Sequence, residues 1–220
     1  MIRLFCLYVL LNATLFAQST ETTSPWTLGV LGGSASAYRF SSTDASMRWL
    51  KDELDSTESR SFGYSYGLSA DYSFSEKLSL RSGLVFTQCG HALNNLAVYQ
   101  SFKINYQFID MPLTVRYFVP TENANLVLGA GPQITYMLRS RSLYQGIDDV
   151  AINKTNINDE SLRKLGLAFG AQVSYDRYLG NNSYIELGLN YRQQVLSIAQ
   201  GSINRLPFSL GAFLAFRQGF

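Results

Sequence analysis

Phe102-Lys-Ile104-Asn-Tyr106-Gln-Phe108 alternates large apolar and polar side chains, and after Asp110-Met111-Pro112 the alternation resumes one place out of phase as Leu113-Thr-Val115-Arg-Tyr117-Phe-Val119. The turn-like Pro120-Thr-Glu-Asn-Ala124 follows, then Leu126-Val-Leu128-Gly-Ala130-Gly-Pro132-Gln-Ile134-Thr-Tyr136-Met-Leu138-Arg139. In a strand, successive side chains point to opposite faces, so this stretch reads as two strands with one bulky apolar face. The other face carries Asn105, Gln107, Thr114, Arg116, Gly129, Gly131, Gln133 and Thr135. The strands outrun the usual five or six residues of a soluble sheet and place Tyr and Phe near their ends, as a transmembrane β-barrel requires. Pro112 removes a ladder donor, and together with the phase change it predicts a bulge at Asp110–Pro112.

Working outward, the same pattern recurs. Phe62–Phe74 is apolar at every even position and small or polar at every odd one. Trp26–Tyr38, Leu78–His91, Leu165–Tyr175, Tyr184–Arg192 and Phe208–Phe220 complete eight predicted strands. The connections after the second, fourth and sixth strands are short (Ser75–Lys77, Pro120–Ala124, Gly180–Ser183), whereas Arg39–Arg60, Asn94–Gln100, Ser140–Ser161 and Ala199–Asn204 are longer. A short helix is expected near Asp44–Leu54, capped by Thr43 or Asp44, with Met47, Leu50 and Leu54 at helical spacing. Short turns at one end and long loops at the other are the plan of an outer-membrane barrel. The predicted fold is therefore all-β: an eight-stranded, up-and-down antiparallel transmembrane β-barrel, with long extracellular loops and short periplasmic turns.

Composition agrees. The 220 residues are 46% hydrophobic and 14% aromatic but only 15% charged, against about 25% charged in ordinary soluble domains. The net charge of +2 is too small to steer a nucleic acid. Residues 1–17 read as a signal peptide, with Arg3 as the positive region and Leu4–Phe16 as the apolar run, cleaved after Ala17 to leave residues 18–220 as the barrel domain. If Cys6 departs with that segment, Cys89 is the one thiol of the mature chain and no intrachain disulfide forms.

The signal peptide, the eight strands and the final Phe220 resemble the small OmpX-like outer-membrane β-barrel proteins. Phe108-Ile-Asp-Met-Pro112-Leu-Thr-Val-Arg-Tyr117, with its partner Leu128-Gly-Ala-Gly-Pro132, resembles more particularly the PorT-type barrel family. The resemblance implies the outer membrane of a Gram-negative bacterium as location. It also implies recognition of the last strand by the barrel-assembly machinery, with Phe216 and Phe220 carrying that role, although both also suit a plain lipid-facing position. Some PorT-type barrels serve secretion or motility complexes, so a surface or secretion-complex partner is among the expectations.

With the apolar phase assigned to lipid, Asp71, Arg81, Arg116, Glu186, Asn190 and Arg192 face the lumen, since Arg or Lys facing lipid at the midplane costs about 2–4 kcal/mol. Side chains fill so narrow an interior, so these six read as a hydrogen-bonded plug; a narrow ion or solute path is the alternative. The expected role is a structural or surface-interaction barrel, monomeric and not an enzyme, with no cofactor. Outer-membrane lipid and lipopolysaccharide are its expected surroundings. Two rivals remain open. His91 could be the base of a lipid-modifying barrel enzyme, and Cys89 with His91 supplies at most two ligands of a metal site. A soluble lipocalin-like ligand-binding barrel also has eight up-and-down strands, with the apolar face inside.

Overall fold

The computed structural model describes residues 25–43, 58–94, 99–122, 124–146, 153–156, 163–196 and 203–220. The predicted helix near Asp44–Leu54 and the N-terminal segment 1–17 lie outside them. The strands are β1 (Trp26–Thr43), β2 (Glu58–Ser75), β3 (Leu78–Asn94), β4 (Tyr99–Pro120), β5 (Asn125–Gly146), β6 (Asn153–Asn156), β7 (Leu165–Gly180), β8 (Ser183–Gln194) and β9 (Ile203–Gly219). Every pairing is antiparallel. The sheet runs β4-β3-β2-β1-β9-β8-β7-β5, and β4 pairs β5 to close it. Eight strands thus form a barrel, the arrangement that satisfies backbone polar groups without leaving an edge. β6 is a ninth, short strand laid on the far end of β5 (Arg141↔Asn156 to Tyr144↔Asn153). It occupies what the sequence suggested was only loop.

Between β3 and β4, at the opposite rim, Asn94 and Tyr99 are as close in sequence as Pro120 and Asn125, so this link is not one of the longer ones. Three short connections lie at the rim where β1 begins and β9 ends, paired through Thr27↔Gly219: Ser75 to Leu78, Pro120 to Asn125 and Gly180 to Ser183. The last of them turns on Asn181 and Asn182, both at positive φ (49° and 55°). Two such residues are what a two-residue hairpin of the strand-matching hand demands, and asparagine tolerates that region.

Alternation sorts the two faces. On β2, Phe62, Tyr64, Tyr66 and Leu68 are exposed, whereas Ser61, Ser69 and Asp71, on the alternate phase, are buried. Every barrel strand turns large apolar side chains outward, among them Leu28, Leu84, Leu113, Leu128, Phe169, Leu187 and Leu214. A lipocalin-like barrel needs the reverse. On β4 the outward apolar run extends from Val119 to Ile109. Ten residue-to-residue steps at about 3.3 Å each, tilted by about 40°, climb about 25 Å, the height of an outer-membrane apolar band.

Two expectations about β4 are corrected. Ile104, Tyr106, Phe108, Asp110, Thr114 and Arg116 are all buried, so the inward phase runs unbroken through the strand. The β3–β4 ladder steps from Ser82↔Leu113 to Val85↔Asp110 in one register, and no bulge exists at Pro112. Asn105 and Gln107 consequently face outward, not into the lumen. The phase change in the sequence marks where the inside switches from polar to apolar while the outside does the opposite. The bulge lies on β5, where Leu138 and Arg139 together face Gln107 and the register shifts between Gln107 and Phe108.

Inward small residues permit the curvature. A Cβ on Gly83 would meet the Leu68 carbonyl oxygen, and one on Gly131 the Leu113 carbonyl oxygen, both rigid backbone atoms. Cys89 is buried inside the long-loop half against Ala37, Ile104, Tyr106, Phe108 and Met137. A membrane-impermeant maleimide is expected to leave the folded barrel unlabelled and to modify Cys89 after boiling in denaturant. Rapid labelling of the native protein would mean that this layer is open.

Candidate functional site: the lumen

The lumen is built in layers. Nearest the short turns, β2, β3, β4, β7, β8 and β9 each contribute an ion inward. Asp71 receives Arg81 in a two-point contact (Nε to Oδ1, 2.7 Å; Nη2 to Oδ2, 3.1 Å). Asp71 also meets Arg116 Nη1 at 3.3 Å and Arg217 Nη1 at 3.2 Å. Glu186 Oε2 lies 2.7 Å from Arg81 Nη2, 2.9 Å from Arg116 Nη2 and 3.4 Å from Arg217 Nε. Its other oxygen accepts from the Ser174 hydroxyl at 2.6 Å. Asp176 pairs with Arg217 Nη2. Three arginines thus balance three carboxylates. Arg116 and Glu186 at the centre have 0% exposure, so no water-sized path passes them. Below the ions, Phe118 sits under the Arg116 guanidinium (5.0 Å to the ring centre) and Tyr184 under Arg217 (5.2 Å), contacts that favour a desolvated cation.

Above the ions lies a cavity of about 100 Å³, lined by Arg81, Asp110, Gln133, Gln172, Asn190 and Arg192 among others. Leu31, Val85, Pro112 and Phe213 share the lining with these polar groups, and a space of that size has room for several waters. Its roof is a second, smaller polar set. Arg192 Nη2 donates to Asp110 Oδ1 at 3.0 Å and to Gln194 Oε1 at 3.2 Å, and Gln194 Nε2 donates to Thr135 Oγ1 at 3.2 Å. The Arg192 guanidinium lies 5.0 Å from the centre of the Phe108 ring. Beyond that, the apolar layer of Phe108, Tyr106, Ile104, Met137 and Cys89 closes the long-loop half.

The structure therefore divides the six predicted lumen residues. Asp71, Arg81, Arg116 and Glu186 meet in one cluster, Arg192 stands in the upper set, and Asn190 lines the cavity between them. Arg217, Asp176 and Asp110 were not singled out from sequence. Parity alone identifies the first two: Arg217 alternates with outward Leu214 and Phe216, and Asp176 sits directly opposite Glu186. Asp110 was hidden by the expected bulge. Phe216 and Phe220 lie on the outward phase at the end of β9, Phe216 half-buried and Phe220 exposed. His91 is buried inside, its ring 6.0 Å from that of Tyr106. It therefore does not border a lipid-facing cleft, the location a lipid-modifying base requires. Among the described residues no group of three or more His, Cys, Asp or Glu side chains is arranged to hold a metal.

A family model described as "Outer membrane protein beta-barrel domain" matches residues 16–196. Among solved structures, OprG, an outer membrane protein from Pseudomonas aeruginosa, is similar at a TM-score of 0.54 and 12% identity, with 92% of this chain and 99% of that one covered. The Neisserial surface protein A is similar at 0.45 and 15%, over 91% and 100%. The outer membrane protease OmpT of Escherichia coli is similar at 0.45 and 7%, over 93% and 100%. No curated protein sequence matches the chain.

Proposed function

The chain belongs to the outer membrane protein β-barrel domain family, and on that footing we propose that it works as a closed, non-enzymatic barrel whose task is carried by its long-loop rim. The barrel itself is an integral outer-membrane domain with lipid against its apolar face. The observation that carries the closed reading is the neutral ion layer: Arg116 and Glu186 meet at 2.9 Å with both side chains fully buried, where an aqueous pore would leave them wet. Buried ions of this kind are tolerated only when paired, and removing one partner leaves an uncompensated charge.

In this reading the short turns face the periplasm and the long loops the exterior, where recognition residues are normally carried. Residues 1–17 act as the export signal. Phe216 and Phe220 serve the assembly machinery, supported by their place on the outward phase of the closing strand. The barrel is a monomer in lipid and lipopolysaccharide, and its partner is a surface or secretion-complex protein of the kind that PorT-type barrels are expected to meet. The test is electrical. Protein reconstituted into a planar bilayer is expected to give no stepwise conductance, and reproducible open-channel steps at neutral pH would overturn the plug.

A further inference from the structure

We propose that the outward face at the long-loop boundary of the apolar band, formed by Lys103, Asn105 and Gln107 of β4 with Arg139 and Arg141 of β5, binds the phosphates of an outer-leaflet glycolipid of the lipid A type. This rests on the outer-membrane reading with the long loops outside. Among the residues whose side chains are described, the apolar band stops at one level on both strands: Ile109 is the last outward apolar residue on β4 and Leu138 on β5. Directly beyond, Gln107 faces Arg139 and Asn105 faces Arg141. Lys103 is the next outward residue on β4, diagonal to Arg141, a separation of about 7–8 Å between such positions. Arg141 is exposed, while Lys103 and Arg139 are half-buried.

The bulge on β5 supplies a second, independent observation. Met137 and Ser140 both point inward, so Leu138 and Arg139 share the outward side. Strict alternation from Met137 would have sent Arg139 and Arg141 into the lumen. The extra residue re-aims both guanidinium groups to the outside, the kind of use to which bulges are put. The neighbouring polar groups are already organised at this level: the Tyr64 hydroxyl and Gln107 Nε2 both donate to Gln88 Oε1 at 3.1 Å. No Asp or Glu occurs in β3 beyond Phe86, in β4 before Asp110 or in β5 beyond Tyr136. A face of cations and amides set just outside an apolar band complements an anionic headgroup whose acyl chains lie along that band. Arginine forks suit phosphate oxygens in particular.

The test uses the full-length mature protein refolded into phosphatidylcholine vesicles containing either bisphosphorylated lipid A, its dephosphorylated form or phosphatidylglycerol. Lipid retained on the protein after mild detergent extraction is then counted by native mass spectrometry. The wild type is expected to retain bisphosphorylated lipid A over both others. The double variant Lys103→Gln/Arg141→Gln is expected to lose roughly thirtyfold in retention, as two interfacial cations should contribute, with its cold-gel mobility unchanged. Equal retention of all three lipids by the wild type overturns the proposal without any variant, and so does a folded double variant that retains lipid A fully. A wild type that fails to insert at all overturns the outer-membrane reading instead, and this proposal with it.

Discussion

Replacing Glu186 with leucine is expected to destabilise the folded barrel by about 3–5 kcal/mol, the usual cost of stranding a buried charge. Glu186 is the acceptor shared by Arg81, Arg116 and Arg217, and its loss leaves three guanidinium groups with two carboxylates in a layer that water does not reach. The local field, not lost contact area, sets the size of the effect, because leucine nearly preserves the volume. A second substitution should therefore repair much of it. Arg116→Met in the Glu186→Leu background restores charge balance and replaces the central ion pair with apolar side chains, an exchange that is often close to neutral. Denaturant unfolding in lipid vesicles reads both. A single variant within about 1 kcal/mol of wild type, well below that range, would show that the cluster is hydrated.

Leu113→Arg is the second large effect, expected at about 2–4 kcal/mol. Leu113 stands near the middle of the outward run from Ile109 to Val119 and is exposed, so in a soluble protein the change would stay within about 0.5 kcal/mol. Depth provides the control. Gln107→Arg, on the same strand and face but beyond the band, is expected to cost no more than about 1 kcal/mol, as for positions near the interface. Equal small costs at both positions would place the apolar face in water and revive a soluble barrel. Equal large costs would move the band outward and remove the boundary on which the phosphate site depends.

Much of this architecture is legible in the residues themselves. Period-two alternation on β2, β5 and β9 separates the faces, and the three tight turns fix which strands are neighbours. What alternation cannot report is which face is inside. In the membrane-embedded half of β4 the outside is apolar and the inside polar. Beyond the band, Ile104, Tyr106 and Phe108 fill the lumen while Asn105 and Gln107 face outward. Hydrophobicity thus inverts along a strand whose geometry does not, and the inversion looks like a bulge at the nearby Pro112. The true bulge at Leu138–Arg139 leaves no such mark, because Leu138 continues the apolar pattern and arginine is at home on either side of it. For the same reason the sequence pointed to four members of the ion layer but not to Arg217 and Asp176. Their parity was readable, yet nothing local announces that strands far apart in sequence aim at one point.

The most direct measurement is the mobility of the membrane-fraction protein on SDS gels, with and without boiling. A closed outer-membrane barrel resists SDS when cold, so two distinct bands converging on one after heating are expected, with the protein recovered in the outer-membrane fraction. One unchanged band, with the protein recovered from the soluble periplasm, would contradict it and require the apolar face to be covered by something other than lipid.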